Sequence, residues 1–150
     1  MPHSYHNLLY HMLYSTHARR LWLDTGIAPR VHAYLGGIVR NLGGIPIEIG
    51  GTDDHVHIMA RLRPDKAVSD VLRIIKANSS GWVHATFSDK GDFAWQEGYG
   101  AFTVSESQAD KLRQYIGNHL EHHRRLSFKE EFIQLLEAHG VGYDERYIWK

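Results

Sequence analysis

The chain has 150 residues, with 17 Lys+Arg balanced by 17 Asp+Glu, no cysteine and 12 histidines. That length suits about one domain able to bury a full core. The missing cysteines exclude disulfides, thiolate metal sites and cysteine nucleophiles. Zero net charge excludes a basic tail or a histone-like coat on a polyanion, but not a binding face made by local sorting of charge.

The opening MPHSYHNLLYHMLYSTHARR interleaves polar groups and lacks the apolar core of a signal peptide. No window approaches the ~18 uninterrupted apolar residues of a membrane span. A soluble, cytoplasmic protein with no membrane partner is expected. No Pro/Gly/Ser-rich linker or internal repeat divides residues 1–150, so a single domain is expected, ending in a helix and tail over about 127–150.

Within it the patterns alternate. Residues 8–15, LLYHMLYS, form an aromatic and apolar run that predicts a strand. A helix is predicted over 29–42, with Pro29 in its first turn, Val31, Leu35, Ile38 and Leu42 at helical spacing, and Gly43-Gly44 as its stop. IPIEIG (45–50), a turn at GTDD (51–54) and HVHIMARL (55–62) predict a β-hairpin. A second helix is expected over 66–83, with Val68, Val71, Leu72, Ile75 and Trp82 on one side.

An extended aromatic segment, 93–104, bends at Gly98-Tyr99-Gly100. A third helix is expected from a capping box at Ser107 and Asp110 to about Arg125, and a fourth from Ser127, with Glu130 three residues on, to Gly140. The order β-α-β-β-α-β predicts an α+β, ferredoxin-like (RRM-like) antiparallel sheet. Its helices pack on one face, and a further C-terminal helix bears a tyrosine.

His55 and His57 flank Val56 at the start of the second hairpin strand. Residues i and i+2 of a strand point to the same face, so the imidazoles stand side by side. Such a pair is either half of a divalent-metal site or two buried, hydrogen-bonded histidines. On the third helix, Ala109, Leu112, Ile116, Leu120 and His123 fall on one stripe, whereas Tyr115, His119 and His122 fall on another, flanked by Lys111 and Asn118. Tyr115 and His119 are an i, i+4 pair that can reach one point. A tyrosine at that spacing is either packing or chemistry. If chemistry, its hydroxyl is a nucleophile able to form a covalent intermediate. A metal on His55, His57 and His119 would polarise a phosphoryl oxygen. A DNA phosphodiester is then the natural electrophile, and the phosphotyrosine bond stores the energy for rejoining, so no nucleotide cofactor is needed.

Residues 1–84 carry nine Lys/Arg against six Asp/Glu, and residues 109–129 carry five against two. Arg19, Arg20, Arg73, Lys76, Arg124 and Arg125 are the candidate phosphate contacts, each with solvated surface charge as its alternative.

These pieces together resemble the small single-tyrosine HUH transposases of bacterial and archaeal insertion sequences, which move single-stranded DNA. The resemblance spans nearly the whole chain: STHARR, GTDDHVHIM, Lys76 to Ser80, WQEGYGAFTVS, YIGNHLEHH and SFKEEF, in that order. It implies Mg²⁺ or Mn²⁺ held by the two HUH histidines and by the residue four after the tyrosine. That residue is often glutamine in the family and is His119 here, a competent ligand whose imidazole suits Mn²⁺ better than Mg²⁺ and leaves the choice between the two open. It also implies attack by Tyr115 to give a 5′-phosphotyrosine and a free 3′-hydroxyl, hairpins at element ends as substrate, and a homodimer in which each tyrosine helix completes the partner's site. Two other readings stand beside it. One is a domesticated or replication- or relaxase-type HUH nickase. The other is a non-catalytic module binding single-stranded nucleic acid through its sheet.

Overall fold

Alternation along one central strand divides the molecule into two layers of packing. The computed structural model describes residues 3–119 and 126–150. Its four strands are β1 (Leu9–Ser15), β2 (Ile45–Thr52), β3 (His55–Arg61) and β4 (Gly100–Thr103). They form one antiparallel sheet in the order β2-β3-β1-β4. The helices are α1 (Ala28–Asn41), α2 (Val68–Thr86), α3 (Ala109–Gly117) and α4 (Phe128–Ala138). Element order and strand order are those of the ferredoxin-like α+β arrangement.

On one face Met12 and Tyr14 of β1 and Val56, Ile58 and Ala60 of β3 pack against Val31, Leu35 and Val39 of α1 and Val71, Leu72 and Ile75 of α2. Each such side chain contributes about 1.5–3 kcal/mol when fully buried. α1 starts where Asp24 Oδ1 accepts from the Gly26 and Ile27 amides at 2.9 and 3.2 Å. It stops at Gly43, whose φ of 79° suits glycine.

The opposite face is also covered. Leu9 and Met59 meet Ile116 of α3, while Leu13 and Phe102 meet Phe128, Phe132 and Leu136 of α4. The even-numbered residues of β1 and β3 therefore hold the α1/α2 layer, and the odd-numbered ones face α3 and α4. α4 opens with the expected capping box: Ser127 Oγ accepts from the Glu130 amide at 3.2 Å, and Glu130 Oε1 accepts from the Ser127 amide at 3.3 Å.

Three expectations need correction. Only Gly100–Thr103 of the 93–104 segment is a strand, because Trp95 is drawn down to Ser79, whose hydroxyl accepts from its indole N–H at 2.9 Å, and makes only an isolated bridge to Thr16. The Ser107–Asp110 box does not form. Ser107 lies in a 3₁₀ turn with its hydroxyl against that of Ser105, and α3 starts after Gln108 without a side-chain cap. The third helix is interrupted by a turn at Asn118. Leu120, His122, His123, Arg124 and Arg125 lie outside the described residues. No helix among the described residues is long and apolar enough to cross a membrane.

α3 rides very close to the sheet at Gly50, where a Cβ would stand 2.7 Å from the Ile116 carbonyl oxygen. Gly50→Ala must push α3 outward and is expected to destabilise by ~1–3 kcal/mol, the usual range for overpacking. A urea-unfolding midpoint equal to that of the unsubstituted chain would contradict this close approach.

Candidate metal centre and nucleophile

β3 delivers His55 and His57 to the α3/α4 side, and both rings are fully buried. His119, just past α3, and Glu131 of α4 close on them from above. His55 Nε2 lies 2.8 Å from His119 Nε2, and His57 Nε2 lies 3.0 Å from Glu131 Oε1. Glu131 Oε1 is 3.5 Å from His55 Nε2, and Oε2 is 3.4 Å from His119 Nε2. One donor atom from each of the four residues falls within 4.8 Å of all the others. Adjacent ligands at ~2.1 Å from one ion lie about 3.0 Å apart in octahedral and about 3.4 Å in tetrahedral geometry. The four groups therefore fit a divalent cation. Three imidazoles and one carboxylate favour a transition-series ion over Mg²⁺.

A second set of partners orients the first. Asp54 Oδ1 accepts from His55 Nδ1 at 2.6 Å and from Thr52 Oγ1 at 3.0 Å. That bond leaves the His55 Nε2 lone pair facing the cluster. Behind His57, its Nδ1 meets Nε2 of His11 at 2.7 Å, with the two rings stacked. Burial lowers the pKa of His57 well below the ordinary histidine value, and burial also lowers that of His55 against the opposing pull of Asp54. Desolvation brings His11 down to about 4. These rings are held neutral, the form in which imidazole binds metal.

Tyr115 is half-buried at the mouth of the cluster, its ring centroid 5.5 Å from that of His119 and 6.1 Å from that of His57. Its hydroxyl donates to Glu131 Oε2. Burial is the first cause of its raised pKa, and the adjacent Glu131 carboxylate adds to it. Beside the phenol opens a groove of about 470 Å³ lined by His11, Gln108, Lys111, Tyr115 and His139 among others.

The four residues expected at the chemistry thus converge within one chain. Glu131 was not among the sequence expectations, although SFKEEF holds a signal. With Phe128, Phe132 and Leu136 it forms the buried stripe of α4, where a 1% exposed carboxylate is out of place unless something pairs with it. His11 and Asp54 leave fainter traces: alternation along β1, and adjacency to the histidine pair.

The expected phosphate contacts are scattered. Arg20 is exposed over the Trp22 ring at 4.2 Å, half-buried Arg19 lies 5.8 Å over Trp149, and exposed Arg73 is 3.6 Å from Asp70. Lys76 is engaged elsewhere. Its ammonium donates to the carbonyls of Gln96 and Glu97 at 2.9 and 3.1 Å and to that of Gly98, pinning the loop before β4. Burial there lowers its pKa to about 8.

The model of the family described as "Transposase IS200 like" matches residues 4–119, from before β1 to the histidine after Tyr115. The chain belongs to the IS200-like transposase family. Among solved structures, a candidate transposase from Deinococcus radiodurans R1 is similar at 25% identity and a TM-score of 0.65, over 78% of this chain and 95% of that one. A REP-associated tyrosine transposase bound to a REP hairpin shares the fold at 17% identity and a TM-score of 0.57, over 77% of this chain and 68% of that one. No curated protein matches the sequence. The family span ends at residue 119, so in this IS200-like transposase Glu131 lies beyond the part that the family model describes.

Two predictions follow from this geometry. Asp54→Ala is expected to weaken Mn²⁺ binding ~10–100-fold by releasing His55, as read by calorimetric titration; unchanged affinity would remove Asp54 from the centre. The pKa of buried His11 falls from 6.5 to about 4 by desolvation. The folded chain therefore binds fewer protons than the unfolded one, and stability is complete above 6.5 and lost as pH falls towards 4. Urea-unfolding free energies across that interval test it, and a flat profile would contradict a neutral buried imidazole.

Proposed function

We propose that the protein is a metal-dependent transposase that cleaves and rejoins single-stranded DNA through a 5′-phosphotyrosine on Tyr115. One observation carries the reading: the Tyr115 hydroxyl and a buried three-histidine, one-carboxylate donor set meet at one point, bridged by Glu131. His55, His57, His119 and Glu131 hold the divalent ion, Mn²⁺ in preference to Mg²⁺. When bound, it supplies Lewis-acid polarisation of the scissile phosphate. No nucleotide cofactor enters.

Glu131 divides its two oxygens: Oε1 faces His57, and Oε2 takes the Tyr115 proton as the phenolic oxygen attacks phosphorus. The P–O3′ bond breaks, and the departing 3′-oxygen takes a proton from water to become a free 3′-hydroxyl. On rejoining, an incoming 3′-hydroxyl gives its proton to water as it attacks the phosphotyrosine, and Glu131 returns its proton to the leaving phenolate. The substrate is a hairpin-bearing single strand from the ends of an element, a reading supported by the related fold bound to a REP hairpin. Arg19, Arg20 and Arg73, with Arg124 and Arg125 beyond the described residues, are the proposed phosphate contacts, while Lys76 serves the loop at 96–98. The place of action is the cytoplasm.

The homodimer that the family resemblance implies would keep these contacts by exchange of α3 between two copies, although Tyr115 and His119 also reach the histidine pair of their own chain.

Tyr115→Phe is expected to abolish the covalent adduct with an end-labelled single-stranded oligonucleotide on denaturing gels while leaving binding within about threefold. An undiminished adduct would assign the nucleophile elsewhere. Mixing Tyr115→Phe with His57→Ala tests exchange: adduct restored in the mixture places the tyrosine on the partner's site, and none restored places it on its own.

A further inference from the structure

We infer that His11 and His57 form a two-imidazole relay through which metal occupancy sets the hydrogen-bonding sense of the groove beside Tyr115. This rests on reading the histidine–glutamate cluster as a metal centre.

The hydrogen bonds dictate the tautomers. Glu131 Oε1, 3.0 Å from His57 Nε2, belongs to a carboxylate that only accepts, so that nitrogen carries a proton. A neutral imidazole has one N–H, which leaves His57 Nδ1 bare to accept from His11 Nε2–H at 2.7 Å. His11 Nδ1 is then bare as well. The His11 ring lines the groove, and among the described residues Nδ1 has no protein partner.

Ligation through His57 Nε2 requires that nitrogen to be free of its proton. The ring must then carry N–H at Nδ1. Two N–H groups cannot face each other at 2.7 Å, so His11 must become the acceptor at Nε2 and carry its own proton at Nδ1. The protons balance. One leaves His57 Nε2, the shared one moves from His11 Nε2 to His57 Nδ1, and one is taken up at His11 Nδ1 from water in the groove. Neither ring changes charge, as two buried imidazoles require.

His55 has no such freedom, because the Asp54 carboxylate fixes its N–H at Nδ1 in either state. Of the two strand histidines, His57 is the one that transmits to the groove. At the groove, His11 Nδ1 changes from acceptor to donor. A phosphodiester oxygen of a strand running past Tyr115 accepts only, so the loaded centre favours it and the unloaded one does not. Metal and strand then raise each other's affinity by the same factor.

Long-range proton–nitrogen spectra of the histidine rings, recorded on the full chain with and without Zn²⁺, read the tautomers directly. The expected result is His11 protonated at Nε2 without Zn²⁺ and at Nδ1 with it. A His11 tautomer that stays put on Zn²⁺ uptake overturns the relay alone. A chain that takes up no Zn²⁺ or Mn²⁺ overturns the metal-centre reading, and the relay with it. Two variants give an independent reading. His11→Leu, with no partner for His57 Nδ1, should bind Zn²⁺ ~10–100-fold more weakly. His11→Gln, whose amide both accepts and donates, should stay within about threefold. Urea unfolding of both separates a packing loss, which lowers stability without changing the affinity of the folded chain. Equal Zn²⁺ affinity in the folded leucine variant overturns the proposal.

Discussion

Everything on the α3/α4 side of the sheet answers to one constraint: a carboxylate and three imidazoles are packed together where water does not reach. Removing such groups from water costs several kcal/mol for a charge unless it is paired and hydrogen-bonded. Glu131 meets that demand with bonds from Tyr115 and His57 and with His55 and His119 within 3.5 Å. The capping box at Ser127 fixes where α4 begins, and so which of its residues faces the sheet. The glycine at position 50 lets the α3 backbone come close enough for Tyr115 and His119 to reach the same point. These local features make sense only together, as devices for keeping four polar groups in one dry place.

The two faces of the sheet divide the labour. Tyr14, Val56, Ile58 and Ala60 bind the α1/α2 layer into an apolar foundation that fixes β1 and β3 against each other. The register that foundation imposes, Leu13 opposite His57 and Ser15 opposite His55, decides what stands on the other face. A slip of one residue would turn His55 and His57 into the core and place Val56 and Ile58 at the chemistry. Packing on the silent face therefore holds the geometry of the active one.

How far the sequence disclosed this follows from the range of each interaction. The period-2 histidines and the i, i+4 pair of Tyr115 and His119 are local patterns, and each landed where its periodicity required. Strand order and sheet type followed from element order. Glu131 is different: its role depends on α4 folding back over β3, which no local spacing encodes, although its place on an apolar stripe marked it as anomalous. Lys76 is the converse case. Its charge suggested phosphate, yet the loop at 96–98 presents carbonyls that only the folded chain brings near. The Ser107–Asp110 pattern fails because Ser107 is taken into a 3₁₀ turn ahead of α3, whereas the Ser127–Glu130 pattern has no such competitor.

If Tyr115 is the nucleophile, as proposed, its surroundings oppose its ionisation. A phenol nucleophile ordinarily depends on something lowering its pKa, yet here burial and a neighbouring carboxylate raise it. In the proposed reaction the same Glu131 that opposes the phenolate also receives its proton, so the two effects cannot be separated by moving it. They separate only if the negative charge of Glu131 is neutralised while its second oxygen stays within reach of the hydroxyl. The three imidazoles around that carboxylate suit this, because while neutral they are metal donors that bring no positive charge of their own. A cation held by that donor set would offset the negative charge beside the phenol and would leave the acceptor in place. A lysine or arginine would have supplied the positive charge permanently, and the tyrosine would then be activated with no substrate or metal present.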